Sequence, residues 1–245
     1  MNRMKYNLFQ PTVWAFVLKL GYSAFVVVNG IKWEVFMKNI AVFVSGGGTN
    51  LQTIIDGINL GEIKNGQISL VLSSKDDVFA IERAKNNNIP VEIVKRKDYP
   101  DEGEFSQKIL EKTKHYNIDL IVLAGFLSVL SDEFIALYEN KIINIHPALI
   151  PAFSGKGFYG LRVHESALER GVKLSGATVH FVNEITDGGP IILQKTTEVK
   201  NDDKPNDLQA RIMTECEKPL LIEAVNLFCN NRLDVRDNKV YVKPL

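Results

Sequence analysis

The stretch Ile142-Ile143-Asn144-Ile145-His146-Pro147 decides the fold, because it joins a buried strand to an abrupt end. β-Branched residues favour strands, and a proline cannot continue a ladder of backbone hydrogen bonds. The strand therefore ends in a polar pair, Asn144 and His146, whose side chains share a face because they lie two residues apart. In an open α/β sheet, ligands bind at the carboxyl ends of the strands. A lone histidine at such a position is more often structural than catalytic, so the pair needs support from the rest of the chain.

The chain before this stretch alternates between strand and helix patterns. Largely apolar runs, typical of parallel strands covered on both faces, occupy residues 40–44, 68–72 and 118–124. Segments with helical spacing of apolar residues occupy residues 51–56, 78–86 and 102–116. This alternation predicts an α/β fold with a doubly wound, mostly parallel, Rossmann-like sheet in a single domain. Two further strands, a terminal helix interrupted by Pro219 and a closing hairpin are expected to follow.

Residues 1–36 differ from the rest of the chain. Basic residues near the start precede an apolar run over residues 13–28, which Lys19 interrupts. A basic start and an apolar run resemble a signal or anchor segment, but a charge inside a membrane-buried run is costly and no small-residue cleavage site follows. We interpret residues 1–36 as an N-terminal apolar extension, either a leader or an upstream extension. The folded domain is expected to start at Met37 and to cover residues 37–245.

The composition excludes some classes of function. The chain has 29 basic and 29 acidic residues and no net charge, which argues against a general nucleic-acid binder. Its two cysteines, Cys216 and Cys229, form no CxxC pair, and its four histidines lack metal-ligand spacing, so no metal site is predicted. We expect a cytoplasmic protein, with membrane attachment only if residues 1–36 are a true anchor.

Residues 45–50, Ser-Gly-Gly-Gly-Thr-Asn, separate the first strand of the domain from its first helix. Glycines let backbone amides approach a ligand, and a helix N-terminus favours an anion. Either Thr49 or Asn50 is expected to cap the helix. No Walker lysine follows, and Leu51 stands where a dinucleotide fingerprint needs its third glycine. The loop therefore favours a small phosphate group over NAD, with a plain tight turn as the alternative.

Two later loops contain further candidates. Residues 151–160 form a glycine- and aromatic-bearing loop after the opening stretch, and a long loop of this kind could act as a mobile lid. Asp187 precedes Gly188 and Gly189, so it could sit on a tight turn whose backbone approaches a ligand. Ordinary turn chemistry explains the same three residues equally well.

Three motifs together resemble the phosphoribosylglycinamide formyltransferases, folate-dependent enzymes of purine synthesis. They are the glycine loop at 45–50, the Asn-Ile-His-Pro element at 144–147, and residues 180–190, His-Phe-Val-Asn-Glu-Ile-Thr-Asp-Gly-Gly-Pro. The resemblance runs from Met37 to about Leu233. The second and third motifs are typical of folate-dependent formyl transferases, and the glycine loop indicates the branch with small substrates. The resemblance divides the domain into a phosphate-binding half, 37–147, and a folate-binding and C-terminal half, 148–245.

The resemblance implies roles for individual residues. The catalytic residues would be Asn144, His146 and Asp187. The residues implied for phosphoribosyl binding are Gly48, Thr49, Asn50, Pro147 and Glu217. The residues implied for folate binding are Leu127, Ser128, Val129, Leu130, Asn144, Asn183, Glu184, Ile185, Thr186 and Asp187. The implied co-substrate is 10-formyltetrahydrofolate, the implied partner substrate is glycinamide ribonucleotide, no metal is required, and the assembly would be a monomer or a homodimer.

Two assignments are less direct. The ribose-contacting acid of the terminal helix falls on Glu217 or, with a different alignment anchor, on Cys216. A gap-free match puts Glu102 where relatives can have an arginine at the folate glutamate tail, so that contact would come from elsewhere or be lost.

The residue types suit formyl transfer to an amine, which passes through a tetrahedral intermediate bearing an oxyanion. Asn144 and a protonated His146 would donate hydrogen bonds to that oxygen. A neighbouring carboxylate, Asp187, would favour the imidazolium and could relay the proton lost by the amine, directly or through water.

Other functions remain open at this stage. Methionyl-tRNA formyltransferases and sugar-nucleotide formyltransferases are expected to carry extra C-terminal sequence, and formyltetrahydrofolate deformylases a regulatory domain ahead of the core. From another class, the chain could be a non-catalytic phosphate- or nucleotide-binding module, which the intact trio argues against.

Overall fold

The computed structural model describes the backbone of residues 5–6, 15–20, 23–28 and 31–244, and the side chains of residues 37–244. Ahead of the domain, four antiparallel strands pair in chain order: β1 (Lys5–Tyr6), β2 (Ala15–Leu20), β3 (Ser23–Val28) and β4 (Ile31–Phe36). The interpretation of residues 1–36 as a leader or an upstream extension stays a prediction.

A seven-stranded sheet forms the centre of the domain. Its strands are β5 (Lys38–Val44), β6 (Gly66–Ser73), β7 (Val91–Ile93), β8 (Leu120–Leu123), β9 (Ile142–His146), β10 (Leu174–Phe181) and β11 (Ile191–Glu198). The strand order is β11-β10-β9-β8-β5-β6-β7. Strands β5 to β9 are parallel, whereas β10 and β11 run antiparallel to their neighbours. The predicted mostly parallel α/β fold is confirmed.

Helices cover both faces of this sheet. They are α1 (Thr49–Asn59), α2 (Phe79–Asn86), α3 (Glu102–Thr113), α4 (Asp132–Leu137), α5 (Leu161–Arg170), α6 (Pro205–Ile212) and α7 (Lys218–Cys229). A short 3₁₀ turn spans Arg96–Asp98, and the hairpin β12 (Leu233–Arg236) and β13 (Lys239–Val242) follows α7.

Strand β5 shows why the sheet is doubly wound. Val42 and Val44 pack into one apolar core with residues of α1 and α7. Phe43 points the other way and packs into a second core with residues of α3 and α4. Because alternate residues of a strand face opposite sides, a continuous apolar run needs cover on both faces.

The first helix begins differently from the prediction. Gly48, in the left-handed region at φ 73°, is its N-cap, and no side chain caps it. Neither Thr49 nor Asn50 caps α1, so that expectation was wrong. The physical reason is that the helix begins one residue earlier than expected, so Thr49 and Asn50 lie inside its first turn, and the Asn50 amide donates to Glu217 Oε2 over 3.0 Å.

The terminal helix also differs from the prediction. A π-helical turn, Met213–Glu217, joins α6 directly to α7, so the helical backbone continues through this region. Pro219 lies in the first turn of α7. The wider π turn accommodates the proline by relieving the need for an ordinary backbone hydrogen bond at that point.

Candidate active site

Strands β9 and β10 build the centre of the site. Asn144 lies directly opposite His180 in their antiparallel register, and His146 lies opposite Thr178. Opposite residues of antiparallel strands project to the same face. The polar pair of β9 therefore has a second histidine as a cross-strand neighbour.

Asp187 reaches this face from the loop between β10 and β11. It adopts a left-handed conformation, at φ 56°. Its Oδ2 lies 3.5 Å from His146 Nδ1, and its Oδ1 lies 3.5 Å from Asn144 Nδ2. The structure thus brings together Asn144, His146 and Asp187, the three residues that the motifs implied.

The loop carrying Asp187 depends on Gly189. A Cβ atom there would lie 1.9 Å from the carbonyl oxygen of Phe181. The loop can pass so close to β10 only because the residue has no side chain. Here the Asp-Gly-Gly sequence reflects a close backbone approach rather than turn chemistry alone.

The loop at 151–160 lies against the same three side chains. His146 Nε2 donates to the carbonyl oxygen of Phe153 over 2.8 Å, and the backbone N–H of Gly155 donates to Asp187 Oδ2 over 2.8 Å. A carbonyl oxygen can only accept, so His146 carries a proton on Nε2. Any other acceptor for His146 Nε2 must displace the Phe153 carbonyl.

Asp187 is an anion in this setting. Burial works to raise the pKa of its carboxyl group, but the hydrogen bond from the Gly155 amide and the adjoining His146 hold that pKa below its usual value. Its side chain is only 9% exposed. This carboxylate places a buried negative charge beside His146.

His164 on α5 is a third buried histidine near the site. Its side chain is 1% exposed, and neither ring nitrogen has a hydrogen-bond partner among the described residues. Burial, together with the charge of His146, lowers its pKa to about 4. His164 is therefore neutral at physiological pH.

The glycine loop is braced from two sides. The N–H of Leu127 donates to Ser45 Oγ over 3.0 Å, and Ser45 Oγ lies 2.6 Å from Ser74 Oγ. Arg83 Nε donates to the carbonyl oxygen of Gly47 over 2.9 Å. Sequence reasoning missed Arg83, because nothing local in α2 indicates that its side chain reaches a turn 36 residues earlier.

Glu217 connects the terminal helix to the glycine loop. It is 5% exposed and accepts the hydrogen bond from Asn50, and burial raises the pKa of its carboxyl group. Asn50 Oδ1 is buried without a partner among the described residues. Of the two alternatives from the sequence, Glu217 contacts the glycine loop, and Cys216 is buried beside it.

The residues implied for folate binding lie on two loops. Leu127 and Val129, after β8, are 58% and 59% exposed, and Ile185 is 64% exposed. Large apolar side chains this exposed offer contact area to an apolar ligand surface. Leu130 is buried, Ser128 and Asn183 are partly buried, and Glu184 and Thr186 are exposed.

Some implied positions are not drawn into these contacts. Thr49 is exposed at the start of α1, and Pro147 is half-buried directly after β9. Glu102, the first residue of α3, is exposed.

Among residues 37–244, no cluster of His, Cys, Asp and Glu could hold a metal ion. No helix of the described chain combines the length and apolarity needed to cross a bilayer.

Comparisons with known proteins agree with this geometry. A family model described as formyl transferase matches residues 38–225. The chain is 39% identical to the chloroplastic phosphoribosylglycinamide formyltransferase of Arabidopsis thaliana over 87% of this chain and 73% of that protein. It is 38% identical to the Haemophilus influenzae phosphoribosylglycinamide formyltransferase over 84% of this chain and 94% of that protein.

A solved structure gives the same result. The fold is similar to that of glycinamide ribonucleotide transformylase 1 from Symbiobacterium toebii, with a TM-score of 0.79 and 38% identity over 85% of this chain and 95% of that one. The chain therefore belongs to the formyl transferase family, in its phosphoribosylglycinamide formyltransferase branch.

Proposed function

We propose that this protein transfers the formyl group of 10-formyltetrahydrofolate to the amine of glycinamide ribonucleotide, a step of purine synthesis. The observation that carries the proposal is the convergence of Asn144, His146 and Asp187 on one face of the sheet, with distances of 3.5 Å from Asp187 to each of the other two. The family of the chain and the names of its relatives support the same substrates.

His146 and Asn144 stabilise the oxyanion. As the substrate amine attacks the formyl carbon, the carbonyl electrons move to oxygen, and that oxygen accepts from His146 Nε2 and from an amide N–H of Asn144. The backbone carbonyl of Phe153, which now accepts from His146, must give way to the substrate oxygen. The loop at 151–160 therefore has to move for the reaction, in keeping with a role as a lid.

Asp187 serves the proton transfers. The attacking amine loses a proton, and the folate nitrogen gains one when its bond to the formyl carbon breaks. A carboxylate ionised at neutral pH can accept the first proton, directly or through water, while it balances the charge of His146. The amine of the substrate is the nucleophile, so no covalent enzyme intermediate forms.

The start of α1 binds the phosphate. The first backbone N–H groups of a helix have no partner within the helix, and the helix dipole favours an anion there. Gly48, Thr49 and Asn50 supply these groups, and Glu217 lies beside Asn50 where it can accept from ribose hydroxyls.

The exposed apolar residues Leu127, Val129 and Ile185 offer a surface for the pteridine ring. Catalysis in the cytoplasm, by a monomer or a homodimer, stays a prediction.

A single assay tests the function. Purified protein is mixed with 10-formyltetrahydrofolate and glycinamide ribonucleotide, and release of tetrahydrofolate is followed. Release that requires the ribonucleotide is expected. Equal release without it would indicate a deformylase instead, and no release under either condition would contradict both enzymatic functions.

A further inference from the structure

His180 has no role in the reaction described above, yet it is 2% exposed and in contact with two of the three catalytic residues. Its Nδ1 lies 2.7 Å from the carbonyl oxygen of Phe181. Because that oxygen can only accept, Nδ1 carries a proton. The Gly189 loop packs on the same carbonyl, which limits its freedom to turn away.

The Asn144 amide has one orientation that satisfies its neighbours. Asp187 Oδ1, an acceptor, lies 3.5 Å from one end of that amide, so this end must be the NH₂ group rather than the carbonyl oxygen. The same NH₂ group lies 3.2 Å from His180 Nε2. Two donors cannot face each other at this distance, so His180 Nε2 bears a lone pair and accepts from Asn144.

The distances indicate how Asn144 divides its two N–H bonds. His180 Nε2 and Asp187 Oδ1 are 3.6 Å apart, which is longer than a normal hydrogen bond. With Asn144 Nδ2, 3.2 and 3.5 Å away, they form an almost equilateral triangle. Each N–H of the planar amide can therefore face one of the two acceptors. The bond to His180 is the shorter, whereas the N–H that faces Asp187 is held only at 3.5 Å and can turn to a substrate oxygen.

We propose that His180, held as its Nδ1–H tautomer by the Phe181 carbonyl, fixes one N–H of the Asn144 amide so that the other, weakly held N–H is available to the developing oxyanion. His180 is thus a positioning residue that acts through Asn144. This inference rests on the proposed function for its catalytic consequence. The orientation itself follows from the chain of donors and acceptors from Asp187 to Phe181.

Two substitutions separate positioning from packing. His180→Leu fills much of the ring volume without an acceptor, whereas His180→Gln can place an oxygen near the position of Nε2. We expect His180→Leu to lower kcat about 10-fold or more, below the roughly 10²–10³-fold loss expected when an oxyanion donor is removed altogether. KM for both substrates should stay nearly constant, and His180→Gln should recover much of the lost rate.

A double-mutant cycle decides whether His180 acts through Asn144. If it does, His180→Leu will have little further effect on kcat in an Asn144→Ala background. An equal loss in both backgrounds, or a loss confined to KM, would overturn the proposal. Thermal unfolding of each variant shows whether it is folded.

The ring tautomer is measured independently of activity by ¹⁵N NMR of the wild-type protein labelled at histidine. We expect the His180 ring to be protonated at Nδ1 and unprotonated at Nε2 near neutral pH. A proton on Nε2 would overturn the inference even if every variant behaved as expected. An inactive wild-type protein would overturn the proposed function, and with it the catalytic consequence, while the tautomer would still decide the orientation.

Discussion

The two ring nitrogens of His146 have different partners, and this difference sets its chemistry. Nδ1 faces the Asp187 carboxylate, and Nε2 donates to the backbone carbonyl of Phe153. A ring with a proton fixed on Nε2 is suited to donating to an oxyanion. The position of the ring proton is set by the Phe153 carbonyl, which can accept a hydrogen bond but cannot donate one.

Replacing His146 by alanine is expected to lower kcat by roughly 10²–10³-fold, because one oxyanion donor is lost. The measurement is steady-state formyl transfer, with circular dichroism to show that the fold is retained. His115→Ala is the control, since His115 is exposed and lies beyond the end of α3. A near-normal rate in His146→Ala would contradict the assignment of the site.

Replacing Glu217 by glutamine is expected to raise stability at neutral pH and weaken binding of the ribonucleotide. Burial raises the pKa of this carboxyl group above its usual 4.5, so the folded protein binds the proton more readily than the unfolded chain. The free energy of unfolding of the wild type therefore falls as pH rises from 4.5 through the raised pKa. Glutamine removes this charge and can still accept from Asn50. Such a trade of stability for function is common at binding sites.

Urea unfolding at pH 4 and pH 7 checks the stability, and calorimetric titration with the ribonucleotide checks the affinity. Glu223→Gln, at an exposed position of α7, is the control and should change neither quantity. A Glu217→Gln variant that binds the ribonucleotide as tightly as wild type would remove Glu217 from the site.

At the scale of the element, the turn from β5 into α1 combines a left-handed backbone conformation with a close contact. Gly48 has φ +73°, and a Cβ atom there would lie 2.7 Å from Ala80 Cβ. The loop is held against α2 by a hydrogen bond from the N–H of Ala80 to the carbonyl of Gly46. The glycine turn and the second helix therefore form one unit.

Gly48→Ala is expected to cost about 1–3 kcal/mol from the backbone conformation alone, and more from the contact with Ala80. Because the turn must shift, KM for the ribonucleotide should rise as well. Gly46→Ala is a matched control, since nothing lies within 4 Å of a Cβ there and no positive φ is required. Equal effects of the two substitutions on urea unfolding would contradict this explanation.

At the scale of the whole molecule, the buried histidine of α5 makes stability depend on pH. The pKa of His164 is about 4 in the folded protein and 6.5 in an exposed chain. The unfolded state therefore binds the proton more readily between these values, so this contribution is complete above pH 6.5 and is lost as pH falls toward 4. Its size is of order 3 kcal/mol.

His164→Leu is expected to flatten the stability curve between pH 6.5 and 4, because the buried group can no longer bind a proton. Urea unfolding across this range measures the effect. His115→Leu should leave the slope of the wild-type curve unchanged, since that ring is exposed. An unchanged slope in His164→Leu would show that the proton is taken up elsewhere.

Local patterns were enough to predict the layers of this molecule. The apolar runs now in β5 and β8 and the helical spacing in α1 and α3 identified buried strands and amphipathic helices, because both periodicities are properties of neighbouring residues. The glycine turn, the strand end at His146 and the residue types of the trio were also readable from the chain. The cap of α1 was not, because the left-handed conformation of Gly48 makes that residue the N-cap and puts Thr49 and Asn50 inside the helix.

The sequence by itself determined the α/β alternation and which residue types could perform formyl transfer. Only the tertiary structure decided the partners of those residues: His180 opposite Asn144, the Phe153 carbonyl on His146, and Glu217 on Asn50. The physical reason is that strand register and loop position depend on packing between distant segments. A hydrogen bond between residues 36 positions apart, such as that from Asn144 to His180, leaves no periodic trace in the chain.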